Sequence, residues 1–359
     1  MSDIYNFSAG PAVLPKPVLE EAQQDLLNFG ESGISIMESS HRSKEYIAVQ
    51  DEAEANLKKL LNIPDNYSVL FLQGGATGQF AMVPMNLLHD GKTADYTNSG
   101  AWGKKAIKEA QQVGNVNIAA DCGDVRPCRV PTVEELNLTD GAAYLHLTSN
   151  ETISGAQWKS FPTVDAPLVV DMSSDILSRE LDISQFGIVY AGAQKNLGPS
   201  GVTIAIVRND LAEAAPTNIP NIYRYQTHID NGSMFNTPPC FSVYLVMLVT
   251  RWLEAQGGVA AMQQINERKA AALYDCIDST EFYTGAADVA YRSLMNVTFT
   301  LPTEDLDKEF ASQADAAGMK NLKGHRSVGG LRASIYNAFP EAGVGVLVDF
   351  MKEFERTHG

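Results

Sequence analysis

The chain has 359 residues, 45% hydrophobic and 19% charged, an ordinary balance for a globular enzyme, and at that length two cores are expected rather than one. Its 43 acidic and 27 basic side chains leave a net charge of −16, which excludes nucleic acid and anionic membrane as partners by long-range repulsion. Small anions would be repelled too, so a site for them needs a local cluster of Arg, His and helix N-termini.

In chain order, helical patterns over 16–28 and 46–61 precede a strand at 69–72. That strand opens into Gln73-Gly74-Gly75-Ala76-Thr77-Gly78, a glycine loop and helix start whose backbone amides could converge on a phosphate. Pro84 should limit how regular the helix is. Trp102 opens a helical pattern over 102–113 that carries Lys104, Lys105 and Lys108, and its indole offers a flat apolar surface to an aromatic ligand. Short apolar runs follow at 116–119, 143–147, 168–170, 188–191 and 202–207. Strands buried on both faces and separated by helices imply an α/β sheet, mostly parallel, with ligands collecting beyond the strands' carboxyl ends.

The longest apolar run, 241–253, falls short of the roughly 18–20 residues that span a bilayer and contains Arg251, so a buried helix is expected. Asp3 and the absence of an apolar leader imply a cytoplasmic location. Gly257-Gly258 reads as a hinge. Beyond it come a helical pattern at 266–279, strands at 295–300 and 332–336, and helices at 304–317 and 341–356, with Gly318 ending the first of that last pair. Cys122, Cys128, Cys240 and Cys276 show no CxxC and no metal spacing with His, so free thiols and no metal are expected.

The chemistry concentrates in 167–201. Asp171 ends the run Leu168-Val169-Val170, and Lys195 follows Ile188 to Gln194 and precedes a Gly/Pro turn. Alone, each reads as a turn or capping residue. Together, a carboxylate and a desolvated amine at two strand mouths suggest pyridoxal 5′-phosphate: Lys195 would carry the aldehyde as a Schiff base, and Asp171 would keep the pyridine nitrogen protonated. Thr152, after the run ending at 147, could reach the ring hydroxyl. The pairs His41-Arg42 and His325-Arg326, with Arg332, favour anion recognition in so acidic a chain.

These motifs resemble those of the phosphoserine aminotransferase family, class V aminotransferases of fold type I. The resemblance runs nearly end to end, from Asn6-Phe7-Ser8-Ala9-Gly10-Pro11 through Ser40-His41-Arg42-Ser43, Asp171-Met172-Ser173-Ser174 and Ala193-Gln194-Lys195-Asn196 to Gly329-Gly330-Leu331-Arg332. It implies a large domain, residues 16–258, with a mostly parallel seven-stranded sheet, and a smaller α/β domain from 1–15 and 259–359. It implies transamination between L-glutamate and 3-phosphohydroxypyruvate in serine biosynthesis, with 4-phosphohydroxy-L-threonine as a second substrate in pyridoxine synthesis. Lys195 and Asp171 would be catalytic. Trp102 would stack on the cofactor ring, Thr152 would contact its hydroxyl, and Ala76, Thr77 and Gln194 would hold its phosphate. Asn236 and Thr237 would reach that phosphate from the neighbouring subunit of a homodimer with shared sites. Arg42 and Arg332 would hold substrate carboxylates, with His41, His325 and Arg326 near the distal anion. Some members carry an arginine where this chain has Thr77, which leaves the sharing of the substrate phosphate open, and a serine where it has Ala9, which weakens any side-chain role there.

Three rivals fit less well. A cysteine desulfurase needs a reactive loop cysteine, but Cys276 sits in a helical pattern. A serine–glyoxylate type aminotransferase would not need two His-Arg pairs. A non-catalytic cofactor-binding protein would not need Lys195, Asp171 and the arginines together.

Overall fold

The computed structural model describes residues 4–326 and 328–359, so Asp3 and Ser327 lie outside the described residues. The chain opens with β1 (Tyr5–Asn6), α1 (Lys16–Asp25) and α2 (Lys44–Leu60). It continues through β2 (Tyr67–Leu72), α3 (Gly75–Leu87), β3 (Thr93–Asn98), α4 (Ala101–Ala110), β4 (Asn115–Asp121), β5 (Leu145–Thr148) and β6 (Leu168–Asp171). Then come β7 (Ile188–Gly192), β8 (Thr203–Arg208), α5 (Asn209–Glu213), α6 (Tyr225–Asp230) and α7 (Cys240–Ala255). The last third holds α8 (Gly258–Asp278), β9 (Thr284–Gly285), β10 (Asn296–Thr300), α9 (Glu304–Ala316), β11 (Met319–Lys320), β12 (Leu331–Ser334) and α10 (Glu341–His358).

Among the described residues the central sheet has seven strands in the order β2-β8-β7-β6-β5-β3-β4. The pairs β4/β3, β3/β5, β5/β6 and β6/β7 are parallel, and β8 alone runs antiparallel to its neighbours β7 and β2. Alternate side chains feed two cores. Val170, Val189 and Ile204 face α2 and α7, whereas Val169, Tyr190 and Ala205 face α3 and α4. Each such aliphatic side chain, removed from water, contributes roughly 1.5–3 kcal/mol. A third core gathers around β10, β12, α9 and α10 and takes in Phe7 from the N-terminal segment, because β1 pairs in parallel with β11. The register sets Thr148 beside Asp171 and Asp171 beside Tyr190, so the ends of β5, β6 and β7 form one rim. The sheet's shape thus puts the chemistry where parallel sheets bind ligands.

Three expectations need adjusting. β3 was not anticipated, because Thr93-Ala94-Asp95-Tyr96-Thr97-Asn98 reads as polar. Asp95 is nonetheless buried, its carboxylate accepting from Thr139 N–H (2.8 Å), Thr139 hydroxyl (2.7 Å) and Asn117 Nδ2 (2.9 Å), so the usual burial penalty is met by hydrogen bonds. Helix α3 runs straight through Pro84; burial against the sheet holds it, and Asn86 Nδ2 donates to Met82 O at 2.8 Å beside the break. Helix α1 stops at Asp25 rather than near 28, where Asn28 and the left-handed Gly30 (φ 54°) turn the chain.

The apolar run at 241–253 lies within α7, buried over most of its length. No helix among the described residues is long and apolar enough to cross a membrane. The four cysteines are free, three of them buried, and no cluster of potential metal ligands occurs among the described residues.

Candidate active site

Lys195 sits just past β7, in a tight turn closed by Lys195 N–H and Gly198 N–H donating to Ala193 O (2.7 and 2.8 Å). Its side chain is buried, and Nζ donates to Thr152 Oγ1 at 2.8 Å. Burial lowers the amine's pKa to about 8; Asp171 offsets part of that fall, and Arg332 adds to it. The amine is therefore far closer to its nucleophilic neutral form at pH 7 than a solvated lysine.

Asp171 ends β6 and is also buried; its Oδ1 accepts from Ser173 N–H at 2.9 Å. Burial raises its pKa, opposed by hydrogen bonds from Ser173 and by the charge of Lys195. Ser173 Oγ also accepts from Gly192 N–H at 3.1 Å, tying the mouth of β6 to that of β7.

Across the rim, α3 presents its first turn. Gly74 and Gly75 adopt left-handed φ of 98° and 64°, which aims the free amides of the helix start toward the strand ends. A Cβ on Gly192 would come to 3.7 Å from Ala76 N, so a glycine there leaves the space between β7 and α3 open. On the opposite side the N-terminal segment arches over the lysine turn, where a Cβ on Gly10 would meet Lys195 Cε at 3.4 Å. Ala12 N–H donates to Gln194 O at 2.9 Å.

Trp102 lies in the first turn of α4, with its ring centroid 5.9 Å from Lys195 Nζ. Beneath it Glu151 is fully buried, accepting from Trp102 N–H (3.4 Å), Gly103 N–H (3.3 Å) and Ser99 hydroxyl (3.4 Å). Burial lifts this carboxyl to about 7, against the pull of those two amides. From the C-terminal unit, Arg332 on β12 reaches over to donate to Thr152 O at 3.2 Å. His325 joins it at the rim, its pKa lowered first by burial and then by Arg332, Arg326 and Lys105.

These groups enclose a cavity of about 300 Å³ whose lining includes Ala76, Thr77, Trp102, Thr152, Asp171, Gln194, Lys195, His325 and Arg332. Nine of the fourteen residues expected at the site therefore line one cavity. His41, Arg42, Arg326, Asn236 and Thr237 do not line it within one chain. His41 and Arg42 precede α2, Arg326 lines a separate groove with Lys323 and Glu304, and Asn236 lies behind Gly74 and Gly78 in another. Thr237 O accepts from Gln73 Nε2 at 2.9 Å, which fixes that segment near the start of α3 without placing it in the cavity.

Residues the sequence reading passed over also line it: Gly10, Thr148, Asn150, Ser173 and Ser174. Ser173 could have been found, two residues after Asp171; Asn150 and Glu151 carried no local signal.

The lining fits pyridoxal 5′-phosphate. Thr148 Oγ1 and Trp102 Nε1 are buried without protein partners, the open cradle between Gly192 and Ala76 adjoins a helix N-terminus suited to a phosphate, and the carboxylate and amine stand on adjacent strands.

The sequence matches the aminotransferase class-V family over residues 4–347. It is 55% identical to the phosphoserine aminotransferase of Geobacillus kaustophilus over 99% of both chains. The fold superposes on the phosphoserine aminotransferase of Bacillus circulans subsp. alkalophilus with a TM-score of 0.96, at 52% identity and 99% coverage of each chain. It superposes on the PLP-bound phosphoserine aminotransferase of Trichomonas vaginalis with a TM-score of 0.94, at 39% identity over 97% of this chain and 99% of that one. A buried lysine–aspartate pair at the strand mouths, sharing its cavity with Arg332 of β12, is thus set in a matching frame from end to end: the chain belongs to the class-V aminotransferases, and within them to the phosphoserine aminotransferase family.

Proposed function

We propose that this protein transfers the amino group between L-glutamate and 3-phosphohydroxypyruvate, giving O-phospho-L-serine and 2-oxoglutarate, with pyridoxal 5′-phosphate as cofactor. One observation carries the reading: Lys195, Asp171 and Arg332 converge on a single cavity beside a helix N-terminus that has no side-chain cap. When bound, the cofactor supplies the aldehyde that takes up the amino group and a pyridine ring that accepts the electron pair.

The remaining roles belong to the chain. The amides of Ala76 and Thr77 and the Gln194 side chain would hold the phosphate, and the face of Trp102 would support the ring. Asp171 would accept from the pyridine N–H and keep that nitrogen positive; a charge-assisted bond of this kind is worth roughly 1.5–3 kcal/mol. Arg332 clamps the substrate's α-carboxylate, which aims the α-C–H bond at Lys195. Lys195 Nζ, the buried amine of the cavity, would take the substrate's α-proton and give it back in the course of the transfer. Thr152 steadies that amine through the 2.8 Å contact already present.

The assembly proposed is a homodimer with shared sites, in which a second copy brings Asn236 and Thr237 to the phosphate; the same arrangement accounts for His41 and Arg42 lying outside the cavity of one chain. Exposed apolar side chains flank both segments and support this: Leu27, Ile34 and Met37 before His41, and Ile222, Tyr223 and Phe235 before Asn236. Residues 16–258 are proposed as the large domain, with 1–15 and 259–359 as the small one; Phe7 packing in the C-terminal core supports that division. A cytoplasmic location completes the reading, supported by four cysteines left free.

The test is a coupled assay of purified holoenzyme with glutamate and 3-phosphohydroxypyruvate, with unphosphorylated hydroxypyruvate as control. Turnover restricted to the phosphorylated acid is expected, and Lys195→Ala should abolish both turnover and the visible absorbance of bound cofactor. An active, coloured Lys195→Ala protein would sink the assignment.

A further inference from the structure

Lys105 is a further basic residue beside Trp102. It stands one turn after Trp102 on α4, so the two side chains share a helix face. Its Nζ lies 4.3 Å from the centroid of the Trp102 ring, the same ring that faces Lys195 Nζ at 5.9 Å. Although acidic side chains outnumber basic ones by 43 to 27, Lys105 makes no ion pair among the described residues. Neither do Arg326 and Arg332. His325, which lines the cavity, feels the positive charges of Arg332, Arg326 and Lys105 together. Basic groups from α4, β12 and the loop before it therefore act together on His325 at the rim, although Arg326 itself lines the neighbouring groove, and none of the three makes an ion pair among the described residues.

Such crowding costs free energy until an anion arrives. Two cavity residues already account for other charges: Lys195 serves the reacting centre, and Arg332 the α-carboxylate. Thr77, at the edge formed by α3, brings no charge. A phosphate monoester carries about −1.5 to −2 at pH 7, enough charge to engage a further cation beside His325 and Arg326.

Building on the transamination reading above, we propose that Lys105 is a specificity-determining residue that binds the phosphate of the phosphorylated substrate at the outer edge of the Trp102 ring. The lysine's flexible stem lets its ammonium swing from the indole to the phosphate while Trp102 stays against the cofactor. The preference for a phosphorylated over a merely dicarboxylic substrate then arises partly on α4, an element that otherwise serves the cofactor.

The experiment compares holoenzyme with Lys105→Ala and Lys105→Arg, titrating O-phospho-L-serine, L-glutamate and L-alanine by the absorbance change of the bound cofactor. In Lys105→Ala, the Kd for O-phospho-L-serine should rise about tenfold and that for glutamate about threefold, the scale of one or part of one charge-assisted contact. Alanine, with no distal anion, and the cofactor itself should move less than about twofold on the same scale. In turnover, KM for the phosphorylated substrate should rise while kcat at saturation holds, and Lys105→Arg should restore most of the loss. An equal loss for all three amino acids, or a loss of cofactor affinity, would show that Lys105 acts by propping Trp102 and would overturn the proposal. So would an unchanged Kd for O-phospho-L-serine. Wild-type enzyme that fails to accept O-phospho-L-serine at all would instead bring down the transamination reading itself.

Discussion

At the scale of single residues, the site depends on burial acting in opposite directions on two neighbours. Desolvation pushes Lys195 toward its neutral amine and Asp171 toward its neutral acid, and each charge partly restores the other. For the lysine the sign is definite. Its folded pKa of about 8 lies below the ordinary 10.5, so between those values the unfolded chain binds more protons than the folded one. The stability of cofactor-free protein should therefore gain with rising pH across that window, by up to about 3 kcal/mol from this group. Below pH 8 the cost of burying the ammonium is fully present. Urea unfolding of cofactor-free wild type and Lys195→Met at pH 7 and pH 10 isolates the effect, and parallel stability curves for the two proteins would refute it. Asp171 and Lys195 were readable as a pair because each ends an apolar run followed by turn residues, which is local information. Glu151 was not, because only the folded chain shows its carboxylate turned under α4.

At the scale of elements, α4 illustrates how a helix can be held by a side chain far away in sequence. Its N-cap is Gly100, which offers no side-chain oxygen, and Glu151 takes over that function from the loop after β5. The exchange demands a glycine: a Cβ on Gly100 would lie 2.6 Å from Glu151 Cδ. With φ at 165° the backbone there is extended, so the requirement is one of space alone. Gly100→Ala should destabilise by about 1–3 kcal/mol through overpacking, and Glu151→Ala by about 1 kcal/mol through the lost cap. In the double variant the alanine should fill the room vacated, so the two losses should fall well short of additive. Thermal unfolding of the four proteins measures the coupling, and additive losses would contradict the contact. Both single variants should also weaken cofactor binding, since Trp102 rides on the turn that Glu151 holds. The polar strand β3 followed similar logic: Asp95 belongs in a central strand only because Thr139 and Asn117 arrive to satisfy it.

At the scale of the whole molecule, the cavity is assembled from separate stretches: the strand mouths, the first turns of α3 and α4, the N-terminal arch at Gly10, and β12 with its preceding loop. Tyr336 Oη donating to Ala9 O (2.8 Å) and Asn337 N–H donating to Asn196 Oδ1 (3.0 Å) clamp the C-terminal unit onto the arch and the lysine turn. The proposed dimer extends this assembly one step further. Replacing Met37 or Phe235 by Glu would put a charge into the apolar surface that flanks His41 and Asn236. Each variant should shift the protein from about twice the chain mass toward a monomer in sedimentation, and weaken cofactor binding about tenfold or more through loss of the phosphate contacts. A monomeric variant that kept full cofactor affinity would contradict shared sites.

The sequence by itself determined the alternation of buried strands and helices, the Asp171–Lys195 pair and the basic segments. These rest on hydrophobic periodicity, strand termini and turn chemistry, all expressed within a few residues. It took the folded chain to bring Thr152 to Lys195, Arg332 across to Thr152 and Glu151 under Trp102, and to leave Arg42 and Asn236 outside the cavity of their own chain. Those outcomes depend on which distant groups compensate a buried charge or occupy a shared space, and no local pattern encodes a partner 43 to 180 residues away.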